Sequence, residues 1–144
     1  MFLLITCLFS LAFSSEEIVI ELNGLGRLKG SSGHIARNGQ LYHQFLGVPF
    51  AEPPVGGLRF REPVPVTSWD DTRDATGPGP ACIQGSYMPI TGSEDCLTLN
   101  VFTKDPGARR PVLVYLHGGA FIHGGIAGKT GEYLLEEDIV LVTV

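Results

Sequence analysis

Two uninterrupted apolar runs, PVLVYL at residues 111–116 and IVLVTV at 139–144, constrain the fold more than any other feature of this 144-residue chain. A strand with one face in water alternates apolar and polar residues. A run without that alternation belongs to a strand covered on both faces, as in a parallel sheet. Between the runs lies one helical signal, over 130–137, with Thr130 as candidate cap of its first turn. The upstream half reads differently. Apolar residues alternate over 18–22, Asn23-Gly24-Leu25-Gly26 supplies a turn, and a second extended stretch follows over 28–32, which predicts an antiparallel hairpin. Residues 41–48 (LYHQFLGV) continue that sheet edge until Pro49, which has no N–H for the ladder. Residues 97–103 (LTLNVFT) alternate again, with Leu97, Leu99 and Val101 on one face and a turn at Pro106-Gly107. Antiparallel strands that lead into a mostly parallel sheet, with a helix in the crossover, make the fold class α/β.

Residues 49–92 hold most of the chain's ten prolines and keep no apolar period, so they predict a long ordered loop anchored by Phe50, Phe60 and Trp69. With 44% hydrophobic and 17% charged residues the chain has material for a packed core. Its net charge of −5, with no basic cluster larger than Arg109-Arg110, excludes nucleic acid as a partner. Asp70, Asp71 and Asp74 beside Arg73 read as a solvated turn, and no metal site is expected. His34 and His43 read as surface or hydrogen-bonded residues, and His123 as a loop residue that lines the pocket.

The opening stretch, apolar from Phe2 to Phe13 and then small, has the shape of a secretory signal peptide over 1–14, cut after Ser14, although its n-region lacks Lys and Arg. It is too short to span a bilayer, so a secreted protein without a membrane span is expected. Removal of Cys7 leaves Cys82 and Cys96. In an oxidising compartment these are expected to pair, closing a loop of roughly 15 residues worth on the order of 3 kcal/mol, with two free buried thiols as the alternative.

The segment VLVYLHGGAF, residues 112–121, is a buried strand that empties into a glycine-rich turn. There, consecutive backbone N–H groups can face one pocket, and acyl transfer needs such fixed donors for the charge that develops on a carbonyl oxygen. The turn His117-Gly118-Gly119-Ala120-Phe121 is similar to the HGG(G/A)F oxyanion loop of esterases. Two further blocks agree with it. SEDCLTLNVF (93–102) resembles SEDCLYLNV, and FLGVPFAEPPVGGLRF (45–60) resembles FxGIPYAxPPVGxLRF, in the order found in type-B carboxylesterases and cholinesterases.

That resemblance, over about residues 28–144, implies an α/β-hydrolase fold, a serine esterase acting on small-molecule carboxylic esters through an acyl-enzyme, and no cofactor. It implies Gly119 and Ala120 as oxyanion-hole donors, with Gly118 shaping the turn and His117 orienting it. It also implies Cys82–Cys96 as the family's first disulfide and Arg59–Glu94 as a buried structural ion pair. Ala120 departs from the glycine of many members but keeps its N–H. No Trp follows Gln84-Gly85 to form a choline site, which disfavours a cholinesterase. No G-x-S-x-G occurs, so residues 15–144 are expected to be the N-terminal portion of one domain, truncated before the nucleophile elbow, with serine, acid and histidine beyond Val144. The alternative is a non-catalytic adhesion or binding member of the same fold.

Overall fold

The computed structural model describes residues 16–85 and 89–144; the expected leader at 1–14 lies outside the described residues. Its strands are β1 (Glu17–Leu22), β2 (Gly26–Ile35), β3 (Leu41–Pro49), β4 (Thr72–Asp74), β5 (Thr98–Thr103), β6 (Val112–Tyr115) and β7 (Val140–Thr143). They form one sheet in the order β1-β2-β3-β5-β7-β6, with β4 beside β2. The hairpin of β1 and β2 pairs Ile20 with Leu28. β3 is an interior strand, antiparallel to both β2 and β5, and not an edge as its sequence position suggests. Among the described strands, parallel pairing is confined to β6–β7 and to the short β4–β2 contact, so this part of the sheet is mainly antiparallel.

Side chains on β5 alternate between two cores. Phe102 packs on one face with Ala36, Tyr42, Leu135 and Leu141. Leu99 and Val101 lie on the other, against the cluster of Leu28, Phe45, Val48 and Ala75. Asn100 is a buried polar tie between strands: its Nδ2 donates to Thr143 Oγ1 at 3.2 Å and its Oδ1 accepts the Gly47 N–H at 3.0 Å. Each of its amide atoms thus has a partner inside the sheet.

The expected helix over 130–137 is a single 3₁₀ turn, Leu134–Glu136, and Thr130 caps nothing. So short a segment cannot repay helix nucleation. Gly131 weakens it further, and Glu136, Glu137 and Asp138 place negative charge at what would be the carbonyl end. β6 also departs from expectation, because its side chains from Val112 to Tyr115 are exposed and it is the outer strand. β7 buries only Leu141 and Thr143 fully.

The long loop is ordered by specific ties. Trp69 donates its backbone N–H to Leu25 O at 2.7 Å and its indole Nε1–H to Arg27 O at 2.9 Å. The Arg73 guanidinium lies 4.6 Å from its ring centroid. The aspartate-rich stretch after it is not a plain turn, because Thr72–Asp74 pairs with β2. Asp74 is exposed, and its pKa falls from 3.8 to about 2, first because the Thr76 side chain and backbone donate to it and then because Lys29 lies beside it. A depressed carboxylate adds stability that is present above its unfolded value and is lost as pH falls through its folded value. Trp69 fluorescence is therefore expected to shift as pH drops from about 4 to about 2, and Asp74→Asn is expected to remove that step.

Candidate active site

The site begins where β6 runs out. Val144 N–H donates to Tyr115 O at 3.0 Å, holding β7 against the last residue of β6, and the chain then turns away through Leu116 and His117. The turn closes on one acceptor: the Gly119 carbonyl receives the N–H groups of Ile122 at 3.1 Å and His123 at 3.2 Å. To reach that geometry, Gly119 takes φ +145°, Ala120 +53° and Phe121 +60°. A β-carbon on Gly119 would collide with the His123 carbonyl oxygen. Ala120 and Phe121 hold left-handed conformations without that exemption, which costs of order 1–3 kcal/mol each and persists only where surrounding structure imposes it.

The ring of His117 stays with its own loop. Its Nδ1 lies 2.8 Å from Gly118 O, and a carbonyl only accepts, so Nδ1 carries the hydrogen. Gly119 and Ala120, the expected oxyanion donors, sit together at the crest of the loop. Among the described residues their N–H groups donate to no protein acceptor.

Beside the loop is a cavity of about 590 Å³, walled by His117 and Gly124 from the loop, by Cys82 and Cys96, and by Asn100 from the sheet floor. Gly119 and Ala120 are not among its walls, and neither is His123, which is exposed and does not line the pocket as expected. Cys82 and Cys96 are bonded, with Cα atoms 5.0 Å apart. The bridge pins the start of the 82–93 loop to the approach of β5, and Gln84 exchanges backbone hydrogen bonds with Thr91 across it. From this loop Gln84 reaches over to Gly124: its Nε2 donates to Gly124 O at 2.8 Å, and its Oε1 accepts the Gly124 N–H at 2.8 Å. Sequence reading used Gln84-Gly85 only to weigh a choline site and gave the Gln84 side chain no role; the available signal is a long polar amide two residues after a bridged cysteine, in a loop without another amide side chain. Ser86 lies outside the described residues.

Arg59 and Glu94 meet, with Nε 2.8 Å from the carboxylate, but their side chains are 58% and 35% exposed. The pair is a surface contact and not the buried one expected. Water screens it on the Arg59 side, and Arg59 also lies 5.1 Å from the exposed Phe60 ring. Glu94→Ala is accordingly expected to cost about 1 kcal/mol or less, read as a small shift in urea midpoint, and not the several kcal/mol of a broken buried pair. His34 is remote from the loop. Its pKa is lowered, first by burial and then by His43, and its Nε2 lies 2.9 Å from Ser31 Oγ. Among the described residues no group of three His, Cys, Asp or Glu is placed to hold a metal, and no helix is long and apolar enough to cross a membrane.

Residues 15–144 match the carboxylesterase family. The chain is 43% identical over 116 residues to a juvenile hormone esterase of Tribolium castaneum, covering 75% of this chain and 20% of that protein. It is 38% identical over 137 residues to carboxylesterase 3 of Homo sapiens, covering 83% and 24%. The crystal structure of juvenile hormone esterase from Manduca sexta, with OTFP covalently attached, superposes with a TM-score of 0.79 at 35% identity, over 89% of this chain and 26% of that one. A carboxylesterase of Geobacillus stearothermophilus superposes with a TM-score of 0.69 at 36% identity, over 87% and 25%. The chain thus spans 20–26% of the length of these relatives. Sequence blocks, strand order and these superpositions agree: the chain belongs to the carboxylesterase family, and its mixed sheet is part of an α/β-hydrolase fold.

Proposed function

We propose that residues 15–144 are the N-terminal portion of a secreted serine carboxylesterase and supply its oxyanion hole. The observation that carries this reading is the run of three left-handed residues, Gly119, Ala120 and Phe121, at the carboxyl end of β6. Strain of that kind is kept where a backbone must face a ligand. The N–H groups of Gly119 and Ala120 then donate to the oxygen of a small-molecule carboxylic ester as its carbonyl becomes tetrahedral. Fixed donors of this type contribute roughly 3 to 4 kcal/mol each, because they need no reorientation as charge develops. His117 orients the loop through Gly118 and takes no proton from the nucleophile. The nucleophilic serine, its acid and its histidine come from residues after Val144, as does a third donor from the residue following that serine. An acyl-enzyme forms as alcohol leaves, and water releases the acid.

The test compares two secreted products on p-nitrophenyl esters: the 144-residue chain, and the longer protein with the sequence that follows Val144. The longer protein is expected to turn over ester. The 144-residue chain is expected to be inactive and to elute as aggregate, because the β6 side chains have no cover among the described residues and an apolar edge strand recruits other chains. A longer protein that folds, oxidises its cysteines and leaves ester untouched would favour the adhesion or binding reading. An active, monomeric 144-residue product would overturn the assignment of the nucleophile.

A further inference from the structure

From the contacts of Gln84 we infer that this residue sets the position of the 117–125 loop and is thereby a positioning residue for the oxyanion donors; the inference rests on the esterase reading above. Gly124 lies next to His123, whose N–H and carbonyl both meet Gly119. The end of the turn at 123–124 therefore fixes where Gly119 and Ala120 point. Gln84 grips that end twice, donating to Gly124 O and accepting from Gly124 N–H, both at 2.8 Å. A two-point amide contact fixes direction as well as distance, and either bond alone would leave the loop free to pivot. Glutamine matches this site because one planar group supplies both the donor and the acceptor.

The grip is also anchored from behind. The backbone N–H and carbonyl of Gln84 pair with Thr91, and Cys82, two residues earlier, is bonded to Cys96 at the approach of β5. Gly124 offers no slack on the other side. A β-carbon there would run into the Gly118 carbonyl and the His117 ring, so the strand of chain held by Gln84 packs directly on the base of the oxyanion turn. The line of contact runs from the sheet, through the disulfide and Gln84, to Gly124 and Gly119. Gln84 itself is not among the residues that wall the cavity.

The longer esterase tests this with Gln84→Ala and Gln84→Glu. In Gln84→Ala, hydrogen–deuterium exchange over peptide 117–125 is expected to quicken about tenfold or more while the rest of the sheet is unchanged. The kcat is expected to fall about ten- to a hundredfold with KM within about twofold, since misplaced donors weaken the transition state more than the ground state. Gln84→Glu keeps the acceptor for Gly124 N–H but turns a carboxylate oxygen toward Gly124 O. Its kcat relative to wild type at the same pH is expected to recover as pH falls, because the protonated acid regains the donor. A Gln84 that merely stabilised the fold would not produce that recovery. Unchanged exchange in Gln84→Ala would overturn the inference, as would faster exchange with kcat within twofold of wild type. A wild-type enzyme without esterase activity would instead strike at the esterase reading, and the exchange measurement would then decide alone whether Gln84 holds the loop.

Discussion

Gly119→Ala is expected to lower kcat on p-nitrophenyl esters by about 10²–10³-fold in the longer esterase, the loss seen when an oxyanion donor is removed. The added methyl has nowhere to go, because it would occupy the position of the His123 carbonyl oxygen, and φ +145° is outside the range an alanine adopts without strain. The turn must open. Opening it swings the Ala120 N–H away from its neighbour, so both proposed donors are lost through one substitution. Folding should be little affected, because the crest of the loop is at the surface and neither core cluster includes it. Wild-type secretion and melting together with the kcat loss is the expected result; activity within threefold of wild type would remove Gly119 from the oxyanion hole. Ala120→Gly, which relieves a left-handed alanine while keeping its N–H, is expected to leave kcat nearly unchanged.

The largest stability effect is expected at Phe102. Its side chain is 1% exposed and lies at the centre of one core, edge-on to Tyr42 at 6.3 Å between ring centroids and against Leu135 and Leu141. Phe102→Ala removes that ring from a site whose walls are strands β3, β5 and β7, which cannot collapse inward without breaking ladder bonds. The cost is about 3–5 kcal/mol, a large share of the 5–15 kcal/mol that holds an ordinary domain together. Urea unfolding of the longer protein should show the midpoint displaced accordingly. Phe60→Ala, at a ring 94% exposed, is expected to shift it by less than about 0.5 kcal/mol. Equal shifts for the two would mean that the cluster around Phe102 is not the core.

The strands were legible because their signals are local. Alternation at 18–22 and 97–103, the turn at Asn23-Gly24 and the stop at Pro49 each depend on near neighbours, and strands form at those places. The sharp turn at 117–121 was legible for a similar reason, since glycines at the end of an apolar run mark a backbone that has to bend sharply. What sequence reading missed depends on the third dimension. Thr72–Asp74 becomes a strand because β2 offers it an edge, and TRD on its own has no strand pattern. The 130–137 stretch loses its helix to Gly131 and the acidic end. The exposure of Arg59 is set by what lies over it, which an ion-pair motif does not specify. Gln84 matters through a partner 40 residues away, and that pairing leaves no periodic trace in the chain.

The order of the strands also dictates the timing of assembly. β6 emerges from the ribosome before β7, yet among the described residues its one neighbour in the sheet is β7, which slots between it and β5. Until Val140 and the residues after it are made, VLVY has no ladder to join. At about 5–20 residues per second that wait lasts on the order of a few seconds. During the interval the nascent chain carries a bare apolar strand followed by a flexible glycine-rich tail, so chaperone capture is expected to peak at lengths between β6 and β7. Slowing translation across 116–139 should then lengthen chaperone occupancy without changing the finished protein.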